Sequence, residues 1–349
     1  MLIKLFAINA LLAVTPSNCV AGSSLRSRGL NGIFNSATVQ QASQVWQVPS
    51  SLHPTIQDAI YDATNVTDGD TIEIANGNFK GAILNRSLHF VGSGSTVIDD
   101  GPPFGGKHKV GFQLIAGADG SSFSKLTFDN NDPNTYTNPR LHIYSRDLVT
   151  PDQGIDDITI EQCTFLNANQ AVSNWGGDMW YVANNKIINL YTSCGGGIGI
   201  LLADRGNGTV IDNLVEHNDI TGTLFVDPDD CGGYAGSGIV LYSDRRWSFE
   251  GTQSIHNNFI TRNSVSLVSD NSTLVDVWAF EMTDAFDGSE TPYDDERISD
   301  NAVTHNNWKG TDNQVKFEPE DLEDANTLSR NKGAKSTKSA KSTKANRNL

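Results

Sequence analysis

Residues 197–204 have the sequence GIGILLAD, and related segments return as SGIVLYSD at 237–244 and VWAFEMTD at 277–284. Each segment is an apolar run of strand length that ends in aspartate, so Asp204, Asp244 and Asp284 recur every 40 residues. The shorter segment Ala-Val-Ser-Asn174 precedes them. Regular repeats of this length, with little helical periodicity, indicate a β solenoid of stacked coils.

A second repeat places asparagine two residues before a β-branched or aromatic residue. Its copies are Asn185-Lys-Ile187, Asn213-Leu-Val215, Asn258-Phe-Ile260 and Asn301-Ala-Val303, with Cys163-Thr-Phe165 in the same frame. Coils of a parallel β-helix stack about 4.8 Å apart. Stacked asparagines can hydrogen-bond along the stack and tolerate the left-handed backbone conformation of turns. We therefore expect one asparagine column, with Cys163 as a buried, unreactive thiol and His217 and His305 as turn residues.

A family resemblance lies near the start of the chain. The stretch PTIQDAIYDATNVTDGDTIEIANGNFKGAI (54–83), followed by SLHFVGSGSTVIDDG (87–101), resembles the opening of the pectin-lyase-like superfamily, also called the pectate lyase superfamily. The resemblance implies an all-β fold, a right-handed parallel β-helix over residues 46–310. It also implies a short N-terminal capping helix, with Ile56, Ala59, Ile60 and Ala63 on one face. Because this superfamily includes lyases, hydrolases, epimerases and adhesins, activity must be argued from the site.

The N-terminal segment MLIKLFAINALLAVTPSNCVAG (1–22) has the features of a secretory signal peptide. Lys4 precedes the apolar run Leu5–Val14, which is too short to span a bilayer, and small residues follow it. No other stretch reaches membrane-spanning length. We expect a secreted protein of the extracellular space or cell wall, with a linker at 23–45. N-glycosylation is predicted at four sequons, Asn65, Asn85, Asn207 and Asn271.

Three cysteines remain after removal of a signal peptide: Cys163, Cys194 and Cys231. Cys194 and Cys231 are both followed by glycines and would lie on neighbouring coils, so we predict a disulfide between them. The alternative is that all three cysteines stay reduced.

Charge is distributed unevenly along the chain, whose net charge is −16. Residues 330–349 carry seven basic residues and no acid, residues 1–30 carry three basic residues and no acid, and the body between them is at −26. Such acidity argues against nucleic-acid binding. We expect an acidic linker at 311–329 and a disordered basic tail at 330–349. Its regularly spaced lysines could bind a polyanionic matrix; the alternative is a solvated tail without a partner. The tail resembles the Lys/Ser repeats of secreted diatom proteins associated with silica.

The spacing between the asparagine column and the following aspartates varies from coil to coil, which predicts several insertions at one turn. Loops stacked beside a flat parallel sheet form a groove, and a groove suits an extracellular polysaccharide. Glu281 would be costly inside the coil, so Glu281, Ser243 and Thr283 are predicted to face solvent. The residues predicted to face the core are Ile200, Val240, Phe280, Leu202, Tyr242 and Met282.

Stacked carboxylates at Asp204, Asp244 and Asp284 would repel one another, so one must hold a proton or all must share a cation. Calcium is the natural cation, because it prefers oxygen ligands. Calcium could neutralise a uronate and acidify its C5 proton, with Arg205, Arg245 or Arg246 as base or clamp, as the resemblance to lyases of this superfamily implies. The predicted catalytic residues are thus Asp204, Asp244, Arg205 and Arg245, with Glu281 and Arg246 as substrate contacts. Two carboxyls on adjacent or alternate coils would also permit glycoside hydrolysis. The alternative is that each aspartate caps backbone N–H groups.

A last motif, Asp227-Pro228-Asp229-Asp230, resembles the Asp-Pro-His-Asp motif of β-helical mannuronan C5-epimerases. The resemblance implies substrate contacts at Asp227 and Asp230, but Asp229 replaces the histidine that this family uses in catalysis. The motifs of polygalacturonases do not occur. The sequence favours a lyase-type enzyme acting on an acidic polysaccharide. The alternatives are a non-catalytic cell-wall or adhesion protein and an epimerase-like enzyme.

Overall fold

The computed structural model describes residues 43–105, 108–131, 139–146, 154–192, 196–204, 209–227, 236–244, 254–285 and 297–333. The chain divides into two compact units, 1–42 and 43–349. The first unit, which contains the predicted signal peptide, lies outside the described residues, as do residues 334–349 of the predicted tail. Residues 330–333 belong to the last coil and not to a disordered tail, since Asn331 accepts from Asn306 and Lys332 pairs with Asn307.

Strands of successive coils pair in parallel and form four sheets in the described part of the chain. The ten-stranded sheet A contains Val45–Val48, Thr71–Ile74, His89–Gly92, Ser122–Ser124, Thr159–Glu161, Tyr181–Ala183, Leu214–Glu216, Phe259–Thr261, Ala302–Thr304 and Thr327–Ser329. The seven-stranded sheet B contains Gly77–Lys80, Thr96–Asp100, Thr127–Asp129, Thr164–Ala168, Lys186–Tyr191, Asp219–Phe225 and Ser264–Ser269.

The nine-stranded sheet C contains Ala82–Leu84, His108–Leu114, Pro139–Tyr144, Gln170–Trp175, Ile198–Asp204, Gly236–Asp244, Val277–Ala285 and Asn313–Glu318, and the short strand Pro103–Phe104. Sheet D contains Thr209–Ile211, Ser254–His256 and Ile298–Ser299. Among the described pairings, Pro103–Phe104 with His108–Leu114 is the antiparallel one. Long parallel sheets wound coil upon coil confirm the predicted parallel β-helix.

Alternation along each strand produces a single apolar core. In sheet A the central residue of every strand faces inward and stacks on its equivalent in the next coil. This inner column is Trp46, Ile72, Phe90, Phe123, Ile160, Val182, Val215, Ile260, Val303 and Leu328. Phe90 and Phe123 stack with their ring centroids 5.3 Å apart. Each coil therefore buries its apolar residues only because the next coil covers them.

The predicted N-terminal helix is present and spans Ile56–Tyr61. Thr55 caps it: its side chain accepts from the Asp58 N–H, while the Asp58 carboxylate accepts from the Thr55 N–H. Ile56, Ala59 and Ile60 are buried against the first coils, whereas Ala63 lies beyond the helix end and is exposed. Among the described residues, no helix has the length and apolarity needed to cross a membrane.

The predicted asparagine column is in fact two ladders, one at each end of the sheet A strands. One ladder contains Cys163, Asn185, Asn218, Asn263, Asn306 and Asn331; the other contains Asn213, Asn258, Asn301 and Asn326. In each step between asparagines, one side-chain oxygen accepts from the backbone and side-chain N–H groups of the preceding member, as Asn263 does from Asn218. Cys163 donates its backbone N–H alone to Asn185. The buried amides therefore satisfy one another along the stack.

Residues that directly precede ladder members, rather than the ladder asparagines themselves, adopt the left-handed conformation. His217, Arg262, His305 and Arg330 have φ between 56° and 61° and precede Asn218, Asn263, Asn306 and Asn331. Such turns change strand direction within two residues. The two histidines are therefore turn residues, as predicted. Cys163 is buried, and burial raises the pKa of its thiol to about 12, in agreement with an unreactive thiol.

The predicted acidic linker at 311–329 is wrong, because the β-helix continues through it. Strand Asn313–Glu318 pairs with Val277–Ala285, the 3₁₀ helix Glu320–Glu323 follows, and Thr327–Ser329 pairs with Ala302–Thr304. Val315 and Leu322 are buried, while the acidic residues of this segment occupy its outer side. The acidic run is the solvated face of a final coil, in which Asn326 and Asn331 end the two ladders.

Candidate functional site

Connections of variable length border sheet C. Three long strands of sheet C are each followed by a connection to sheet D. The strands are Ile198–Asp204, Gly236–Asp244 and Val277–Ala285, and the connections are 205–208, 245–253 and 286–297. Before these strands lie 192–197, 226–235 and 270–276. By contrast, two residues, such as 217–218, separate the sheet A strands from sheet B in the same coils. The insertions therefore flank both ends of sheet C, whereas the sequence predicted one turn.

The register of sheet C differs by one residue from the predicted repeat. Asp204 aligns with Ser243, not Asp244, and Ser243 aligns with Asp284. Asp244 lies opposite Ala285. Because a slip of one residue exchanges the two faces of a strand, the predicted orientations within 237–244 are also reversed. Leu241 belongs to the core, and Val240 and Tyr242 face outward.

An aromatic row runs across the outer face of sheet C. It contains the aligned residues Trp175, Ala203, Tyr242, Thr283 and Glu318. Trp175 and Tyr242 are half-buried and lie two coils apart, roughly 9.6 Å along the stack. Ala203, between them, is too small to separate their rings. The Arg146 guanidinium lies 5.7 Å from the Trp175 ring centre, a cation–π contact at the end of the row.

A second row, the corner row, is formed by Asp204, Ser243 and Asp284, each directly after a member of the aromatic row. Asp204 is fully buried: its carboxylate accepts from the Ser243 hydroxyl at 3.1 Å and from the Asp244 N–H at 3.0 Å. Asp284, two coils away, is half-buried. Asp284 is therefore the less buried carboxylate of the row.

Burial raises the pKa of Asp204 to about 7. The hydrogen bonds from Asp244 and Ser243 and the positive charge of Arg297 act in the opposite direction, and the negative charge of Asp284 adds to the increase. Desolvation thus outweighs the donors that favour the carboxylate. A carboxyl group that exchanges its proton near neutral pH, beside a second carboxylate and an arginine, is typical of reactive sites.

The three predicted calcium ligands do not form one stack. Asp204 and Asp284 share the corner row, but Asp244 is displaced from it and is buried. Within the described ranges, no group of three or more His, Cys, Asp or Glu side chains is placed to hold a metal ion. Calcium binding stays a prediction of the sequence.

Glu281 faces outward, as predicted, but it is buried rather than exposed to solvent. It accepts from Ser237 Oγ at 2.5 Å and Thr283 Oγ1 at 2.6 Å, and it pairs with Lys316 Nζ at 2.9 Å. Burial alone would lower the pKa of Lys316, but Glu281 and Glu318 outweigh it and raise that pKa. Ser243 and Thr283, also predicted to be exposed, are buried too.

The other predicted site residues lie apart from the corner row or outside the described residues. Asp227 follows the sheet B strand Asp219–Phe225, and its N–H donates to Thr192 Oγ1, so it lies at the opposite end of sheet C from Asp204. Asn65 and Asn85 are exposed and Asn271 is half-buried; glycosylation stays a prediction. The residues outside the described ranges are Arg205, Arg245, Arg246, Asp230, Cys194, Cys231 and Asn207.

Sequence reasoning missed Trp175 and Arg297 and assigned Tyr242 to the core. The predicted repeat pairs the terminal aspartates, whereas the structure pairs Gly199-Ile200 with Gly238-Ile239. An alignment on those pairs would have placed Tyr242 beside Ala203. No sequence pattern indicates Arg297, because it precedes sheet D on a different coil from Asp204.

The chain is a parallel β-helix protein, the class that its sheet topology defines. No protein-family model matches it, and no curated protein is similar to it in sequence. One similar solved structure is the catalytic domain of a GH87 alpha-1,3-glucanase in complex with nigerose, 11% identical over 75% of this chain, with a TM-score of 0.27. The match spans 64% of that chain, less than two thirds of its length.

Two further similar structures come from bacteria. A surface adhesin of Streptococcus pneumoniae is 13% identical over 78% of this chain and 86% of its own, with a TM-score of 0.28. The A-module of a mannuronan C-5 epimerase from Azotobacter vinelandii is 14% identical over 79% of this chain and 90% of its own, with a TM-score of 0.20.

Proposed function

We propose that this protein is secreted, that it binds a polysaccharide chain along the outer face of sheet C, and that it acts on the chain at the corner row. The reaction is the lyase-type cleavage of an acidic polysaccharide that the sequence predicts. The observation that carries this proposal is the aromatic row, Trp175 to Tyr242, on the outer face of sheet C. The corner row follows it at the edge of the sheet, where its side chains alternate to the other side of the strands.

The aromatic row fits a linear sugar polymer. The faces of sugar rings carry C–H groups that pack on aromatic rings, while Trp and Tyr also offer a polar edge to hydroxyl groups. Trp175 and Tyr242 are half-buried, and the apolar side chains of Leu201 and Val240 pack in the same cluster and hold them in place. Two such rings on alternate coils form a rigid platform parallel to the stack.

The corner row supplies the chemistry. Asp284 is the less buried carboxylate of the row and lies one residue before the end of its strand, so we assign it the proton transfer to a sugar bound at this edge of sheet C. Asp204 is buried and acts through Asp284 as a positioning residue, because the negative charges of the two carboxylates repel each other. In β-elimination, Asp284 removes the proton at C5 of a uronate and the electron pair forms the C4–C5 double bond. The C4–O bond then breaks and the departing oxygen takes a proton from water, which gives an unsaturated end and a free hydroxyl group.

Binding tests the aromatic row. A screen of alginate, pectin and neutral glucans first identifies the polysaccharide that the protein binds. Trp175→Ala and Tyr242→Ala should each weaken its affinity about tenfold, and the double variant should weaken it about 100-fold. Phe259→Ala is the matched control, because Phe259 is an aromatic residue 51% exposed on sheet A. Unchanged affinity in the double variant, or an equal loss in Phe259→Ala, would contradict the proposed surface.

Product analysis tests the reaction. We expect the mature protein to generate unsaturated ends, and Asp284→Asn to lower kcat by at least about 100-fold with KM little changed. Assays with and without added calcium test the metal prediction. New reducing ends without unsaturated ends would contradict the lyase reaction and indicate a hydrolase.

A non-catalytic wall or adhesion protein is the second candidate. The hydrogen bonds of Asp204 favour this candidate. Both carboxylate oxygens accept from donors within the protein, as expected for an aspartate that caps backbone and side-chain groups. Polysaccharide binding without any product, under all the conditions above, would decide for this candidate.

A further inference from the structure

Trp175 ends the aromatic row on the side of the earlier coils. There it packs against a small apolar cluster that is separate from the core and contains Phe104, Val110, Leu141 and Tyr144. Tyr144 is buried, and its ring centroid lies 6.5 Å from that of Trp175. The indole of Trp175 is therefore supported from this side.

An arginine lies over Trp175 at the same end of the row. The central carbon of the Arg146 guanidinium is 5.7 Å from the Trp175 ring centroid, and Arg146 is half-buried. Burial raises the pKa of Tyr144, although the charge of Arg146 and a hydrogen bond from it act in the opposite direction. The Tyr144 hydroxyl is therefore neutral at ordinary pH and does not balance the charge of Arg146.

Two N–H donors of this cation–π pair have no acceptor. Arg146 Nε and Trp175 Nε1 are both buried, and neither makes a hydrogen bond. Among the described residues, no carboxylate forms an ion pair with Arg146. Buried donors without acceptors are uncommon in folded proteins, because each one costs free energy. A ligand that supplies an anionic acceptor at this place would recover that cost.

We propose that Arg146 and Trp175 Nε1 bind a carboxylate of the polysaccharide and so select a uronate for the sugar that packs on Trp175. The two oxygens of a carboxylate match the planar donor fork of a guanidinium. The half-buried guanidinium makes the first contact, and rotation of the Arg146 side chain then brings Nε to the same carboxylate. This inference rests on the proposed function, because it takes the polysaccharide to lie on the outer face of sheet C.

Arg146 is a specificity residue and not part of the reaction. Thr283, which precedes Asp284, lies three coils from Trp175, roughly 14 Å along the stack. The uronate at Trp175 is therefore remote from the sugar whose proton Asp284 removes. Loss of Arg146 should raise KM for the acidic polymer and leave kcat within about twofold of the wild-type value.

The binding test uses polygalacturonate and alginate, each in its native form and with its carboxyl groups reduced to alcohols, in isothermal titration calorimetry. The wild-type protein should bind one native polymer at least about tenfold more tightly than the reduced form of that polymer. Arg146→Gln should weaken binding of the native polymer about 20-fold and binding of the reduced polymer less than about threefold. Arg146→Lys, which keeps the charge but lacks the donor fork, should discriminate between the two forms less than the wild type and more than Arg146→Gln.

Arg262→Gln is the matched control, since Arg262 is an arginine 61% exposed beside sheet A and its loss removes the same charge. An equal loss in this control would mean that net charge governs binding and would overturn the inference. So would an unchanged ratio of native to reduced affinity in both Arg146 variants, or a fall in kcat at constant KM. In those cases weaker binding by Trp175→Ala and Tyr242→Ala would still support the proposed function, whereas failure of all four polymers to bind would overturn both.

Discussion

Replacing Asn258 by Ala is expected to lower the free energy of unfolding by about 3–5 kcal/mol, because several buried polar groups lose their partners at once. The Asn258 side-chain oxygen accepts from the backbone N–H and the side-chain amide of Asn213. Its amide donates to the Val210 carbonyl and to Asn301 Oδ1. Asn258 is fully buried, so water cannot replace these contacts.

Urea denaturation followed by circular dichroism would measure this loss, with the slope compared between variants because coils can unfold in parts. Asn78→Ala is the control: Asn78 is exposed, and its replacement should change the free energy by less than about 0.5 kcal/mol. A loss below about 1 kcal/mol in Asn258→Ala would show that the ladders follow the fold without stabilising it.

The second large effect concerns pH. Relative to Asp204→Asn, the wild-type protein should lose up to roughly 4 kcal/mol of stability between pH 4 and pH 8. Burial in the folded state raises the pKa of Asp204 to about 7 from its ordinary value of 3.8, so the folded protein holds this proton more tightly than the unfolded chain. That contribution is complete below about pH 4 and is lost as the pH rises through about 7.

Thermal unfolding of both proteins across this pH range would test the prediction. The difference in melting temperature should shift in favour of Asp204→Asn as the pH rises, whereas Asp68→Asn, at a carboxylate that is 71% exposed, should follow the wild-type curve. Parallel curves for wild type and Asp204→Asn would mean that Asp204 is ionised throughout and would remove its assigned role.

The fold was predictable because each coil repeats the same solution. Apolar residues at alternate positions, asparagines at the turns and the capped helix after Thr55 are all local patterns, and each has its expected structural counterpart. The final coil was missed because its outward positions are acidic: Glu318 and Glu320 dominate the composition, although Val315 and Leu322 keep the inward pattern.

The site was less predictable, because it depends on register and on contacts between coils. A spacing of 39 residues, from Asp204 to Ser243, instead of 40 was enough to exchange the faces of Leu241 and Tyr242. The split of the asparagines into two ladders follows from strand pairing, which joins Asn185 to Asn218 and not to Asn213. The charge balance of Asp204 involves Arg297, which is distant in sequence.

The most direct test of the central claim is hydroxyl-radical footprinting of the protein with and without its polysaccharide, read out by mass spectrometry. If the chain lies on the outer face of sheet C, Trp175 and Tyr242 will be protected, while the exposed aromatic residues Tyr61 and Phe259 will oxidise at the same rate as before. Protection of Phe259 with unchanged oxidation of Trp175 and Tyr242 would place the ligand on sheet A and contradict the account.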